Sequence, residues 1–284
     1  MIRIVEVGPR DGLQSESAAV PTDIKVAYVD ALSRAKLPEI EVSAFVSPKW
    51  VPQLADAEEV FRRIRREPGV LYSALVPNEK GFERAMAAGV GKVAVFTAAS
   101  ETFNQKNINT SIGESIRRFI PVIEAARAAN LPVRGYVSTA FWCPYEGRVL
   151  PDRVADVCRR LLDAGVDELS IGDTIGKATP DEVAALLDAL PPAIPRGRVA
   201  LHFHDTYHRA VANALAAAKL GISTFDSSAG GIGGCPYAPG ATGNVATEAL
   251  VQAFRGAGID ITGDLDALSA ARHIIAPVIG RKTG

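Results

Sequence analysis

The chain has 284 residues, 48% of them hydrophobic, a formal net charge of -1 and three cysteines. That length suits one large α/β barrel or two small domains with a sizeable core, and the charge balance argues against nucleic acid or anionic lipid as a partner. Sparse, unpaired cysteines argue against a disulfide scaffold and fit a reducing compartment, and no apolar run approaches the ~18–20 residues of a membrane span, so a cytoplasmic protein is expected.

Residues 2–7 read at once as a β-branched strand, without the charged, apolar and small-residue regions of a secretion signal. A helix is predicted over 22–35, a strand over 39–43 and a short helix over 57–66. Arg62, Arg63, Arg65 and Arg66 on that short helix read as a solvated face. Strands at 71–76, 92–96, 133–138, 168–171 and 199–203 then alternate with helices at 79–88, 111–129, 151–164, 180–190 and 207–220. A strand at 224–227 precedes a helix at 245–257. Ala88-Gly89-Val90, Ala164-Gly165-Val166 and Leu220-Gly221-Ile222 each put glycine where a helix closes in a left-handed residue before the next strand.

Strands alternating with helices pair in parallel through βαβ crossovers, and eight such units in about 250 residues is the count of a TIM (β/α)8 barrel. No linker divides the sequence, so residues 1–284 are expected to form a single catalytic domain, with a C-terminal helical extension over about 260–284 that carries a helix at 265–276. An open doubly wound sheet is the alternative, but no glycine-rich fingerprint follows the first strand.

The active site of such a barrel lies at the C-terminal ends of its strands. There the sequence delivers Arg10, Asp11 and Gln14 after strand one, Glu41 from strand two, Tyr136 and Ser138 from strand five, and Asp173 after strand six. Strand seven ends in His202-Phe203-His204, strand eight opens into a glycine-rich run before Cys235, and Asn244 precedes the next helix. Residues two apart in a strand share a face, so His202 and His204 converge on the barrel mouth. With Asp11 and Asn244 as oxygen donors they form a mixed shell suited to six-coordinate Mg or Mn rather than structural zinc. Arg10 offers a fixed cation for developing negative oxygen. Consecutive residues at a strand end usually diverge, so Arg10 and Asp11 need not pair. Glu41 and Asp173 are candidates to hold Arg10 or to orient the histidines. Cys235 closes a loop with the freedom of a lid, where a thiol can deliver a proton. Cys158, beside Val157 and Leu161, reads as core.

These residues lie in blocks that resemble the 3-hydroxy-3-methylglutaryl-CoA lyase family nearly end to end. The blocks include Val5-Glu6-Val7-Gly8-Pro9-Arg10-Asp11-Gly12-Leu13-Gln14, Phe45-Val46-Ser47-Pro48-Lys49-Trp50, Lys106-Asn107-Ile108-Asn109, Arg134-Gly135-Tyr136-Val137-Ser138, Gly172-Asp173-Thr174-Ile175-Gly176, His204-Asp205-Thr206-Tyr207 and Gly233-Gly234-Cys235-Pro236. The resemblance implies retro-Claisen cleavage of an acyl-CoA thioester to acetyl-CoA and acetoacetate. It implies a divalent cation on Asp11, His202, His204 and Asn244, chelated by the substrate's hydroxyl and carboxylate. Arg10 would stabilise the thioester enolate, Asp11 is the candidate base, Cys235 would return a proton, and Glu41 and Asp173 would support them. Arg10, Gln14, Tyr136, Ser138 and Asn107 are the substrate-binding candidates. Departures at Ser43-Ala44, Phe141-Trp142 and His208-Arg209 leave acyl specificity open, with Trp142 placed to resize the acyl pocket. A lyase for a longer or differently branched 3-hydroxyacyl-CoA is one alternative. A Claisen-condensing synthase is another, although such enzymes usually add a C-terminal region and carry Gly-Glu-Arg where Cys235 and its neighbours stand. A non-enzymatic CoA- or metal-binding protein would be expected only if a ligand or Arg10 were missing. The helical exterior allows a homodimer.

Overall fold

The structure is a computed structural model that describes residues 1–234 and 243–280. Eight parallel strands close into a barrel: Arg3–Glu6, Glu39–Ala44, Leu71–Leu75, Lys92–Ala98, Val133–Ser138, Glu168–Asp173, Val199–Phe203 and Thr224–Ser227. Numbered one to eight in chain order, each pairs with its neighbour in sequence, and strand eight closes on strand one. This is the TIM barrel expected from the alternating pattern.

Strand period and helix period meet at the outer layer. In strand five, Gly135 faces outward, where an added Cβ would lie 3.2 Å from Leu161 of helix Pro151–Asp163. That helix opens on a proline, whose fixed φ suits the first turn. It buries Val154, Ala155, Val157, Cys158 and Leu161 at three- and four-residue spacings. Burial pushes the Cys158 thiol up to about 12, as expected for a core cysteine. Gly89, Gly165 and Gly221 close their helices at φ of 73°, 102° and 91°, as their positions in the sequence required.

Several boundaries differ from the sequence pattern. The helix expected over 57–66 ends at Arg63, because Ile64 turns extended. The helix expected from 207 starts at Ala210. His208 occupies the left-handed region at φ 56°, and Asp205 Oδ1 accepts the Ala210 N–H. The helix expected from 245 starts at Thr247, because Val245 and Ala246 are held along the ends of strands seven and eight. A helix over Glu101–Ile108, capped by Ser100, and a hairpin of Trp142–Cys143 with Gly147–Arg148 lie outside the expected pattern. The final helix, Leu265–Ile275, packs on helix Thr22–Ser33 outside the barrel. None of the described helices is long and apolar enough to cross a membrane.

Inside the barrel the layers are polar. Glu39, Lys92 and Glu168 are the first residues of strands two, four and six, alternate strands that share a layer. Lys92 Nζ bridges Glu39 Oε2 (3.0 Å) and Glu168 Oε2 (2.6 Å). Glu41, Ser170 and Asp226, two residues further along strands two, six and eight, form a later layer. Arg134 links the two, with Nε on Glu168 Oε2 (2.8 Å) and Nη1 on Asp226 Oδ1 (2.7 Å). A hydrogen-bonded line of charge thus runs from the N-terminal end of the barrel toward its mouth.

Candidate active site

Past strand one the chain makes a single wide turn over Gly8–Gly12, in which Val7 O accepts the N–H groups of Asp11 (2.8 Å) and Gly12 (3.2 Å). The turn corrects one expectation. Arg10 and Asp11 do not diverge: they sit on one helical turn, and Arg10 Nη1 meets Asp11 Oδ1 at 2.8 Å. Arg10 Nε donates to Glu41 Oε2 at 2.6 Å, and the guanidinium lies 5.1 Å over the Tyr136 ring. Tyr136 Oη donates to the same Glu41 oxygen at 3.0 Å. Glu41 precedes a register shift in strand two, a bulge of the kind that re-aims side chains near active sites. Arg10 is therefore held on two sides and capped on a third.

His202 and His204 are both buried, their ring centroids 5.2 Å apart. Asn244 forms an isolated bridge with His204, and its Nδ2 donates to Asp11 Oδ2 (2.9 Å) and Ile232 O (3.1 Å). Both amide hydrogens are thus spent on acceptors, and the buried Oδ1 has no partner among the described residues. Gly233 permits this arrangement. It sits at φ 108°, and a Cβ there would lie 2.8 Å from Asn244 Nδ2. Ligand atoms of Asp11, His202 and His204 all fall within 4.8 Å of one another. His204 Nδ1 and Asn244 Oδ1 are also buried there without a hydrogen-bond partner among the described residues. Such a convergence of buried acceptors costs free energy unless a cation fills it, so these residues fit a divalent ion.

The electrostatics agree. Burial alone would raise the Asp11 carboxyl, but Arg10, both imidazoles and the Asn244 amide outweigh it and bring the pKa down to about 2. Burial and the neighbouring His202 depress His204 to about 4, so at neutral pH its ring is unprotonated and free to ligate. Burial opposes protonation of His202 as well, yet Asp226 and Asp11 hold its pKa above the ordinary histidine value. Burial lifts Glu41 despite Arg10 beside it.

The other candidates are distributed differently. Asp173 is buried but turns to its own loop, accepting the N–H groups of Lys177 (3.1 Å) and Ala178 (2.9 Å); Arg10 is held by Glu41 instead. Burial raises Asp173 to about 6. Ser138 is half-buried at the end of strand five, whereas Gln14 and Asn107 are exposed. Cys235 lies outside the described residues. Trp142, expected to resize the acyl pocket, donates its indole N–H to Glu182 (3.2 Å) and lies 3.9 Å beneath Lys177 Nζ. Sequence reasoning missed Asp226, Ser170 and the inward role of Arg134. The available signal was a charged or polar residue on the inward face of a central strand, where apolar packing is the norm.

Three comparisons bear on this arrangement. A family model described as HMGL-like matches residues 1–275. The mitochondrial hydroxymethylglutaryl-CoA lyase of Rattus norvegicus is 52% identical over 99% of this chain and 87% of its own. A cytoplasmic 3-hydroxy-3-methylglutaryl-CoA lyase of the same organism is 50% identical over 99% and 82%. Among solved structures, the hydroxymethylglutaryl-CoA lyase of Pseudomonas aeruginosa superposes with a TM-score of 0.96 at 52% identity, covering 100% of this chain and 94% of that one. An HMG-CoA lyase from Acinetobacter baumannii, in complex with coenzyme A and 3-methylmalate, gives 0.93 at 37% identity, covering 99% and 92%. With its barrel, its clustered ligand atoms and this similarity along nearly its whole length, the chain belongs to the HMGL-like family.

Proposed function

We propose that this protein is a divalent-metal-dependent carbon–carbon lyase that splits 3-hydroxy-3-methylglutaryl-CoA into acetyl-CoA and acetoacetate. The observation that carries the reading is the meeting of Asp11, His202 and His204 within 4.8 Å, beside an arginine held by Glu41. Asp11, His202, His204 and Asn244 would hold Mg or Mn, which supplies Lewis acidity toward the substrate's hydroxyl and carboxylate oxygens.

The chain's own groups account for the rest. The hydroxyl proton passes to Asp11, the proposed base, the carbon–carbon bond breaks as the alkoxide becomes a ketone, and the electron pair passes into a thioester enolate. Arg10, fixed by Glu41 and Tyr136, presents a permanent cation to that enolate oxygen. Glu41 prevents the guanidinium from swinging, so little reorganisation accompanies the charge shift. Burial is outweighed by Arg10 and the imidazoles, which bring the Asp11 carboxyl down to about 2, so it is ionised at neutral pH and able to accept that proton. Cys235 is the proposed proton donor to the carbanion. Asp173, by closing the turn at 174–178, shapes the loop after strand six. Tyr136, Ser138, Gln14 and Asn107 are proposed to contact the substrate. The proposed unit is one domain over 1–284 with a helical extension over 260–284, acting in the cytoplasm as a homodimer. Incubation of 3-hydroxy-3-methylglutaryl-CoA with the protein and Mg or Mn, followed by product analysis, tests the reading. Acetyl-CoA and acetoacetate in equal amounts support it, and an untouched thioester refutes it.

A further inference from the structure

His202 and His204 are alike in sequence spacing but not in surroundings. Among the described residues, the buried Nδ1 atoms of both rings lack a hydrogen bond within ordinary geometry. His202 Nδ1 lies 3.4 Å from Asp226 Oδ2, the carboxylate directly across from it on strand eight. Asp226 is 1% exposed, and each of its oxygens is fixed. Oδ1 accepts from Arg134 Nη1 at 2.7 Å, and Oδ2 accepts from Ser170 Oγ at 2.7 Å. Arg134 is anchored in turn to Glu168, so strands five and six together fix the rotamer of a strand-eight side chain.

A neutral imidazole carries one N–H, and a neighbouring acceptor decides which nitrogen has it. A buried carboxylate beside Nδ1 favours the proton there and leaves the Nε2 lone pair for a ligand. We propose that Asp226 is a positioning residue, holding the His202 ring with Nδ1–H toward strand eight and Nε2 free for the cation beside Asp11. This rests on the reading of Asp11, His202, His204 and Asn244 as a divalent-metal site. The charged line inside the barrel then does more than neutralise itself, since it also delivers an oriented acceptor to a ligand. His204, with no such carboxylate, depends on its strand position alone.

The test uses metal-stripped full-length protein, titrated with Mn2+ by electron paramagnetic resonance and examined by 15N imidazole NMR. The chain has four histidines, so His202→Gln identifies the relevant resonance. Wild type is expected to bind Mn2+ and to show His202 protonated on Nδ1. Asp226→Asn, folded by circular dichroism, is expected to bind Mn2+ roughly 10–100-fold more weakly and to lose the Nδ1–H signature. Ser170→Ala keeps the carboxylate and removes one orienting donor. A several-fold weaker affinity is expected there, and this variant decides the matter should Asp226→Asn fail to fold. Folded Asp226→Asn with wild-type affinity overturns the proposal, as does wild-type His202 protonated on Nε2. Where Asp226→Asn does not fold, unchanged affinity in Ser170→Ala does the same. Wild type that binds no Mn2+ overturns the metal reading itself, a distinguishable result.

Discussion

The two ends of the barrel interior handle buried polarity in opposite ways. At the N-terminal end, Lys92 stands between Glu39 and Glu168, and Arg134 between Glu168 and Asp226. Each charge there meets an opposite charge. At the mouth, the Asp11 carboxylate and two imidazoles converge beside the Asn244 amide, which donates to Asp11, and Arg10 is a fixed cation touching that group. The first arrangement is self-sufficient in charge, although Glu39 Oε1 and Arg134 Nη2 have no hydrogen bond among the described residues. The second is a surplus of lone pairs, stable only with a ligand or at a cost in stability. Along the line of charge from Arg3 to Asp11, four cations (Arg3, Lys92, Arg134, Arg10) face five carboxylates (Glu39, Glu168, Asp226, Glu41, Asp11). A cation at the mouth would offset that excess. The difference separates charge that builds the barrel from charge proposed to do chemistry.

The sharpest way to break the comparison is to remove the metal. EDTA treatment is expected to abolish turnover, with recovery on adding Mn or Mg, while the barrel stays folded by circular dichroism; full activity in EDTA contradicts the reading of the mouth. Next in size is damage to the self-sufficient end. Arg134→Met leaves Glu168 and Asp226 facing each other without their guanidinium, and a loss of about 3–5 kcal/mol in urea denaturation is expected. A loss below about 1 kcal/mol would mean that the line of charge contributes little to the fold. Arg10→Met is expected to cost about 10²–10³-fold in kcat, with a much smaller rise in KM. Equal effects on both would reduce Arg10 to a substrate-binding group.

The same contrast explains what the sequence disclosed. Strand–helix alternation and the helix-closing glycines specify the barrel, because period and φ > 0 positions are local properties. The histidine pair was legible for the same reason, since two residues two apart in a strand need no knowledge of the rest. Asp11 and Asn244 could be placed with them only through family resemblance and strand-end logic; in the structure Asp11 lies within 4.8 Å of the histidine nitrogens and Asn244 donates to Asp11. Asp226 was not legible, because its meaning lies in cross-strand register: it is the partner of His202, and strand eight alone reads Thr-Phe-Asp-Ser. Asp173 shows the converse. It has the right position at a strand end, yet its carboxylate is spent on the backbone of its own loop, a local turn whose geometry propensity did not indicate.

Glu6 offers the finest test, because it combines features of both ends. It is buried like the charges of the base, yet its partners are hydrogen-bond donors and not a cation. Its carboxylate accepts from Gly8 N (2.9 Å), Ala229 N (3.0 Å) and Thr247 Oγ1 (2.7 Å), tying strand one to the segments after strand eight. Burial is the largest influence and outweighs those donors, raising the group from 4.5 to about 7. The folded state therefore binds this proton more tightly than the unfolded chain. Its contribution to stability is fully present below about pH 4.5 and is lost as pH rises through about 7. Glu6→Gln removes the titration. Relative to that variant, wild type is expected to lose roughly 2–4 kcal/mol between pH 4.5 and 8 in urea denaturation. Parallel curves for the two proteins would show that the three donors, and not burial, set the charge state of Glu6, and that a carboxylate buried between this barrel and its helices can stay ionised without a cation.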